Sequence, residues 1–351
     1  MTWTCGAIDH AVTVFPDGGI APCCEIDFSY RKPLSEINNP DRFQDLKTAQ
    51  PPKACKKCVY AEASNLPSYR KSFDSYTQGI QHVDIRNTNE CNLKCRYCGP
   101  HYSNQWSKEL GIKDHTQHTD IEQYLPDLLT KDLKKMYFTG GEPMMNKDHW
   151  MILQTLIAQG KTDVVLQYNT NGTTLQVKDT DIFSIWSKFK QIELTVSIDA
   201  KGELFEYIRS GARWHIVEKN LMKLRQYTNI NVTVTPVISI MNIWQLADFL
   251  KYLQFKDLKC SPIILYGPDY LSVNAIPQAL VQEGKSAVQR CAGMLDVNIV
   301  NELDFMIGSN PEAEEIFKHT VNHVMLLDNI RGHNLFKMLP FEKVAKEMIL
   351  S

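Results

Sequence analysis

Three cysteines near residue 95 form the group with the clearest chemical meaning. Cys91, Cys95 and Cys98 are separated by three and then two residues, and they follow a strand-like run that ends at Arg86. One tight loop with this spacing can supply three corners of a cubane iron–sulfur cluster and leave one iron without a protein ligand. Thiolates also select zinc, for which His101 could serve as a fourth ligand. The spacing favours iron–sulfur over zinc.

A second set of cysteines occupies the N-terminal segment. Eight of the ten cysteines precede residue 99, and among them Cys5 and Cys23 are followed by the close pair Cys55 and Cys58. Residues 1 to about 75 are rich in turns and poor in core-forming sequence, so a bound metal would supply folding energy. Four thiolates there predict an iron–sulfur cluster, with a four-cysteine zinc site as the alternative. Cys24 adjoins Cys23, so either sulfur could be the ligand.

Polar motifs recur at the ends of the strand-like runs that follow. Gly140 and Gly141 allow the backbone to approach a ligand closely, and the next residue, Glu142, could receive an ammonium group. Ser197 and Asp199 alternate onto one face of a later strand. Read singly, each motif is an ordinary turn or a buried strand residue. The remaining candidates are Asn171 and Arg209. Asn171 begins an Asn-Gly turn, and Arg209 could equally be an exposed arginine on a helix with no binding role.

The elements that would position these residues alternate between strand and helix from residue 80 onwards. Strand patterns cover Ile80–Arg86, Lys135–Thr139, Val164–Asn169, Ile192–Asp199, Val232–Ile238 and Ile263–Tyr266. Helical patterns cover Asn104–Leu110, Ile121–Leu129, Trp150–Ala158, Asp181–Phe189, Val217–Gln226 and Ile243–Tyr252. Alternation repeated about six times predicts an α/β fold with a parallel sheet, as a partial (βα)6 barrel. Helical patterns at Pro277–Gln289, Pro311–Val324 and Phe341–Leu350 predict a C-terminal helical extension.

Composition narrows the class of protein further. The formal net charge of −2 over 351 residues gives no reason to expect nucleic acid or an anionic membrane as a partner. The first 20 residues lack the basic start and long apolar run of a signal peptide. No stretch approaches the roughly 18 apolar residues that a membrane helix needs. We therefore expect a cytoplasmic protein.

The cysteine loop resembles that of the radical SAM superfamily, in which an aromatic residue precedes the last cysteine. Tyr97 fills that place here. The resemblance extends over roughly residues 80 to 267. It implies a [4Fe–4S] cluster on Cys91, Cys95 and Cys98 whose open iron is chelated by S-adenosylmethionine. One electron would then cleave the sulfonium and produce a 5′-deoxyadenosyl radical.

The same resemblance assigns roles to the polar motifs. Gly140, Gly141, Glu142 and Pro143 are similar to the Gly-Gly-Glu-Pro motif that holds the amino group of S-adenosylmethionine. The run that contains Asn171 is similar to the family at that point. Residues at the places of Ser197 and Asp199 bond the ribose hydroxyls in the family. An arginine for the carboxylate of the methionine moiety is often found where Arg209 stands. No catalytic residue is assigned.

The N-terminal cysteines resemble the twitch motif, a one-cluster form of the auxiliary SPASM domain. Cys5, Gly18 and Cys23 followed by Cys55 and Cys58 carry the likeness, although such a domain normally follows the barrel. The motif implies an auxiliary [4Fe–4S] cluster, and its glycine spacing favours Cys23 over Cys24.

These patterns predict a three-part chain. Residues 1–75 would form the twitch/SPASM-like domain, 76–270 the partial barrel and 271–351 a helical cap. The predicted function is hydrogen abstraction from a peptide or small-molecule substrate, with the auxiliary cluster assisting electron transfer. An electron donor such as flavodoxin or ferredoxin would be a partner. The alternatives are a non-catalytic zinc or iron–sulfur structural protein and a radical SAM tRNA-modifying enzyme.

Overall fold

The protein has the predicted α/β fold. The computed structural model describes residues 3–64, 67–113, 116–177, 180–334 and 339. The strands are β1 (Ala11–Val14), β2 (Gly19–Ala21), β3 (Lys32–Pro33), β4 (His82–Ile85), β5 (Lys135–Phe138), β6 (Val165–Thr170), β7 (Gln176–Val177), β8 (Thr180–Asp181), β9 (Ile192–Val196), β10 (Ile230–Val234), β11 (Val237–Ile238), β12 (Lys259–Cys260) and β13 (Ile263–Ile264). The α-helices are α1 (Gly6–His10), α2 (Lys56–Ala63), α3 (Asn104–Glu109), α4 (Leu125–Leu128), α5 (Lys147–Ala158), α6 (Phe183–Trp186), α7 (Gly202–Ile208), α8 (Trp214–Leu224), α9 (Leu246–Phe255), α10 (Val281–Gln289), α11 (Val297–Met306) and α12 (Ala313–Arg331).

Contacts within the chain divide it into two compact units. The first contains Met1–Lys94, Cys98–Thr195 and Met222–Asn231, and the second contains Cys95–Tyr97, Val196–Leu221 and Val232–Ser351. This division does not coincide with the expected limits at residues 75 and 270. The organisation into three domains therefore stays a prediction.

The first unit is organised around a sheet whose central strands follow one another in chain order. The strand order is β10-β9-β6-β5-β4-β1-β2-β3. β4, β5 and β6 are parallel, with Ile85 opposite Phe138 and Phe138 opposite Tyr168. Helices separate these strands along the chain, as the predicted (βα)6 arrangement requires. In the second unit, the last residues of β10 pair in parallel with β12, and β11 pairs in parallel with β13.

The N-terminal segment contributes strands to this sheet, which the sequence did not lead us to expect. β1 pairs in parallel with β4, with Val12 opposite Val83 and Val14 opposite Ile85. β1, β2 and β3 then pair antiparallel. Val12 and Val14 have no exposed surface, so the segment shares a core with the strands that follow. A run of only four strand residues, whose parallel partner lies about 70 positions later, gives too weak a periodic signal to be assigned.

The central strands have one apolar face and one polar face. On the apolar face, Phe138 stacks on Tyr168 at 5.0 Å between ring centres, and His149 of α5 lies 4.6 Å from Phe138. The Tyr168 hydroxyl is hydrogen-bonded to His149 Nε2 and to Trp186 Nε1 at 2.9 and 3.1 Å. The opposite face carries polar residues at matching positions in β1, β4, β5 and β6: Thr13, Asp84, Tyr137 and Gln167.

The later part of the second unit is helical, as predicted. α10 and α12 correspond to the patterns at 277–289 and 311–324, although α12 continues to Arg331 and ends at Gly332, which has a φ of 66°. The predicted helix at 341–350 lies outside the described residues. Among the described helices, none is long and apolar enough to cross a membrane.

Candidate radical SAM site

The start of the cysteine loop is held by hydrogen bonds from the residues that surround it. Asn104, the first residue of α3, accepts a hydrogen bond at Oδ1 from the backbone N–H of Cys91 at 3.1 Å. Ser103, the N-cap of that helix, donates its hydroxyl to the Leu93 carbonyl at 2.6 Å. Asn89 Nδ2 donates to the Pro100 carbonyl at 3.0 Å. In the first unit, the backbone around Cys91 is thus fixed by buried polar side chains.

The sulfur of Cys91 lies close to nitrogen donors. The backbone N–H of Leu93 donates to Cys91 Sγ at 3.5 Å. Asn171 Nδ2 lies 4.0 Å from the same sulfur and donates to Asn92 Oδ1 at 2.9 Å. Donors around a sulfur stabilise its thiolate form, which is the form that ligates a metal. Asn171, which follows β6 directly, therefore lies beside the cysteine loop. Its predicted role in binding S-adenosylmethionine stays a prediction.

Gly140 and Gly141 pack closely against the backbone that precedes Cys91. A Cβ at Gly141 would lie 2.0 Å from the Glu90 carbonyl oxygen, and one at Gly140 would lie 2.7 Å from that of Thr88. Gly140 also has a φ of 97°, which glycine adopts without strain. The backbone N–H groups of Gly141 and Glu142 donate to Thr88 and Glu90 at 3.0 and 2.8 Å. The two glycines are required by the close approach of this loop.

Glu142 is buried and hydrogen-bonded to its own chain. Its carboxylate accepts hydrogen bonds from the backbone N–H of Asn171 at 2.8 Å, the Thr170 hydroxyl at 2.6 Å and the backbone N–H of Met144 at 3.3 Å. Only 2% of the residue is exposed. Glu142 thus joins the end of β6 to the Gly-Gly turn. These internal hydrogen bonds could not be predicted from the sequence.

The second unit contains a buried ion pair beside Cys95 and Tyr97. Arg209 Nε lies 2.8 Å from Asp199 Oδ2, and neither side chain is more than 6% exposed. Asp199 also accepts hydrogen bonds from the Tyr97 hydroxyl at 2.7 Å and the Val237 N–H at 2.8 Å. Arg209 Nη1 donates to Cys95 Sγ at 3.8 Å. Burial raises the pKa of the Cys95 thiol, whereas the charge of Arg209 opposes that effect.

Three of the residues predicted to contact S-adenosylmethionine lie together in the second unit, where they bond to one another. Tyr97, Asp199 and Arg209 form a single hydrogen-bonded group. Ser197 lies two residues before Asp199 and is half-buried. Their predicted contacts with the ribose and the carboxylate of S-adenosylmethionine stay predictions.

The four N-terminal cysteines that were predicted to be ligands line one small cavity. Cys5, Cys23, Cys55 and Cys58 form its wall within the first unit, together with other side chains that include Trp3 and Arg70. Burial raises the pKa of the Cys5 thiol to about 11, and Cys55 and Cys58 raise it further. Four thiols that line one buried space are the donor set that a cationic iron–sulfur core would stabilise.

Cys24 is not part of that wall. Burial raises the pKa of its thiol to about 12, and the charge of Arg86 opposes that effect. Arg86 donates from Nε and Nη2 to Asp84 Oδ2 at 3.1 and 2.7 Å. The structure therefore favours Cys23 as the cavity residue. The ion pair was missed from the sequence, although the alternation of His82, Asp84 and Arg86 along a strand was a usable signal.

Within the described residues, neither cysteine set has the arrangement that a single metal ion requires. Among the described residues, no three His, Cys, Asp or Glu side chains converge in the way that a mononuclear metal requires. The ligands of a cubane bind different irons and need not converge on one point. The donors at the sulfurs of Cys91 and Cys95, and the shared cavity of the N-terminal four, fit that requirement.

Comparison with known proteins identifies the class. Residues 85–253 match the family described as the Radical SAM superfamily. Similar curated proteins include a GTP 3′,8-cyclase of Campylobacter lari, 25% identical over 43% of this chain and 42% of that protein. An uncharacterised protein of Methanocaldococcus jannaschii is 27% identical over 50% of this chain and 59% of that protein. The chain thus spans less than two thirds of these relatives.

A solved structure, native anSMEcpe with bound AdoMet, is similar over 60% of this chain and 59% of that chain, at 20% identity and a TM-score of 0.44. The family match covers the cysteine loop, the Gly-Gly-Glu-Pro motif and Arg209. Residues 85–253 of this chain are a radical SAM domain, and the cofactors of that superfamily are a [4Fe–4S] cluster and S-adenosylmethionine.

Proposed function

We propose that this protein reductively cleaves S-adenosylmethionine and abstracts a hydrogen atom from a peptide or small-molecule substrate. Cys91, Cys95 and Cys98 would hold the [4Fe–4S] cluster. When bound, that cluster supplies one electron, which splits S-adenosylmethionine into methionine and the 5′-deoxyadenosyl radical that takes the hydrogen. The observation that carries the proposal is the cysteine loop itself, which lies within the matched family region and has nitrogen donors at the sulfurs of Cys91 and Cys95.

The chain's own residues would bind and orient the co-substrate. Gly140 and Gly141 keep backbone close to the start of the cysteine loop. Glu142 holds that turn against β6, and its predicted contact with the methionine ammonium belongs to this proposal. Asp199 and Arg209 would act first as positioning residues, since their ion pair fixes Tyr97 and faces Cys95.

A second [4Fe–4S] cluster would be held by Cys5, Cys23, Cys55 and Cys58. Support comes from the single cavity that these four residues line. Four protein ligands would leave no iron open to substrate, which suits a cluster to electron transfer. We propose that this cluster accepts the electron that remains on the substrate after hydrogen abstraction.

The partners also belong to the proposal. A flavodoxin or ferredoxin would deliver the first electron. GTP, the substrate named for several relatives, is not carried over, because the matches span only part of those proteins. The formal net charge of −2 gives no support to tRNA as the substrate.

Iron analysis of cysteine variants tests both clusters. Anaerobically prepared protein should hold about eight irons, as two cubanes. Cys91, Cys95 and Cys98 changed to Ala should remove about half of that iron, and Cys55 and Cys58 changed to Ala should remove the other half. Zinc in place of iron would refute the proposal. Full iron in the Cys55/Cys58 variant would refute the auxiliary cluster alone.

A further inference from the structure

We propose that Trp3 and Arg70 raise the reduction potential of the cluster held by the N-terminal cysteines, Trp3 as an N–H donor and Arg70 as a fixed positive charge. This inference rests on the auxiliary cluster of the proposed function. Both side chains line the cavity with Cys5, Cys55 and the other two cysteines.

The indole N–H of Trp3 has no acceptor within the described part of the chain. Nε1 is buried and makes no hydrogen bond, and a buried donor without an acceptor is costly. The residue is held in place by its backbone N–H, which donates to the Thr48 carbonyl at 2.9 Å. Cys55 lines the same cavity as this indole. A sulfur atom ligating a cluster would give this N–H an anionic acceptor.

Arg70 is fixed beside the same cavity. Its Nε and Nη2 donate to the two carboxylate oxygens of Glu62 at 3.0 and 2.6 Å, and its Nη1 donates to the Thr4 carbonyl at 3.2 Å. The guanidinium carbon lies 4.6 Å from the centre of the Trp3 ring. This geometry orders both side chains at once. Arg70 lines the cavity together with Cys5 and Cys55, so its charge is held at the proposed cluster site.

The effect on a cluster follows from its charge. Reduction adds one negative charge to the cluster and its thiolates. Hydrogen-bond donors and cations near the sulfurs stabilise that added charge and raise the potential. A raised potential favours acceptance of an electron from the substrate, which is the role proposed for this cluster. Neither residue was identified from the sequence, because each is far from most of the cysteines along the chain.

The test is a redox titration of the auxiliary cluster alone. We would use the full chain with Cys91, Cys95 and Cys98 changed to Ala and follow the EPR signal of the remaining cluster. Trp3→Phe keeps the ring over Arg70 but removes the N–H. We expect the reduction equilibrium to shift about tenfold towards the oxidised cluster, about 59 mV for one electron. Trp244→Phe is the matched control, since that indole donates to the Ile240 carbonyl in the other unit.

Arg70 is tested in the same background. Arg70→Gln should lower the potential, and Arg70→Lys, which keeps the charge, should restore most of it. Unchanged potentials in Trp3→Phe and Arg70→Gln, with iron retained, would overturn the inference. Failure of the auxiliary cluster itself is recognised separately, because the cysteine-triad variant would then contain no iron to titrate.

A measurement without substitution of Trp3 covers the case in which the variants lose their cluster. Protein that keeps Trp3 is labelled with ¹⁵N-tryptophan, reduced and examined by pulsed EPR. We expect a ¹⁵N coupling and an exchangeable proton coupling to the auxiliary cluster. The absence of both from a cluster that is present and reduced would contradict the role of Trp3.

Discussion

The guanidinium of Arg96 lies 2.6 Å from the carboxylate of Asp328, and the two side chains are 0% and 9% exposed. Arg96 stands between Cys95 and Tyr97, whereas Asp328 lies near the end of α12. Arg96 Nε also donates to the Tyr207 carbonyl at 3.0 Å, and the Tyr207 hydroxyl donates to Asp328 at 2.9 Å. Within the second unit, the part of the cysteine loop at Cys95–Tyr97 is therefore connected to α12 by a buried network of polar side chains.

Breaking this ion pair should destabilise the protein strongly. Asp328→Asn leaves the Arg96 charge buried without its partner, which typically costs about 3–5 kcal/mol. We expect that loss in the free energy of unfolding measured by urea denaturation, together with weaker iron retention. Glu315→Gln is the control on the same helix, because its pair with Lys318 is exposed and should be worth less than about 1 kcal/mol. Equal effects from the two variants would refute this role of the Arg96 pair.

Substitution of Gly141 should disrupt the cysteine loop. A Cβ at that position would lie 2.0 Å from the Glu90 carbonyl oxygen, so Gly141→Ala must displace backbone just before Cys91. We expect a loss of about 3 kcal/mol in stability and of about half the bound iron. Gly99→Ala is the matched control, because an added Cβ there meets nothing within 4 Å. Normal iron content in Gly141→Ala would show that the loop does not need this close approach.

The sequence predicted the elements better than the contacts between them. β4, β5, β6 and β9 were located because their runs are apolar and regularly spaced, and the cysteine loop was located because its spacing is local. By contrast, Arg96 and Asp328 are 232 positions apart, and nothing in either local pattern indicates the other. The cavity shared by the N-terminal cysteines was predicted as a donor set, but Trp3 and Arg70 were not, since their role depends on how distant segments pack.

Glu142 has a second role that the sequence did not indicate. Glu142→Gln replaces an oxygen that accepts chain hydrogen bonds by an amide NH2, so a buried donor loses its acceptor. We expect the free energy of unfolding to fall by about 1–3 kcal/mol. If Glu142 also receives the methionine ammonium, the affinity for S-adenosylmethionine should fall about tenfold or more.

Two measurements separate these roles of Glu142. Urea denaturation reports the stability, and titration of the cluster's EPR signal with S-adenosylmethionine reports the affinity. Glu122→Gln, at an exposed position, is the control. Superimposable titration curves with lowered stability would mean that Glu142 only holds the turn, and unchanged stability would contradict its buried hydrogen bonds.

His82 should make the stability depend on pH. Burial lowers its pKa to about 4, against an ordinary value of 6.5. Between these values the unfolded chain binds a proton that the folded chain does not, so stability falls as the pH falls through this window. Between pH 7.5 and 5.5 the loss should be about 1 kcal/mol. His82→Leu should remove that part of the dependence when urea denaturation is compared at the two values, and an identical pH dependence would contradict the assignment.

The central claim is that S-adenosylmethionine is cleaved at the cluster of Cys91, Cys95 and Cys98. The most direct measurement is formation of 5′-deoxyadenosine by the dithionite-reduced, iron-loaded protein. We predict that the natural chain forms it, and that the variant with all three cysteines changed to Ala forms none while it keeps about half of the iron. The variant with Cys55 and Cys58 changed should retain some cleavage. Equal 5′-deoxyadenosine from the triad variant, or none from a natural chain that holds its full iron, would contradict the claim.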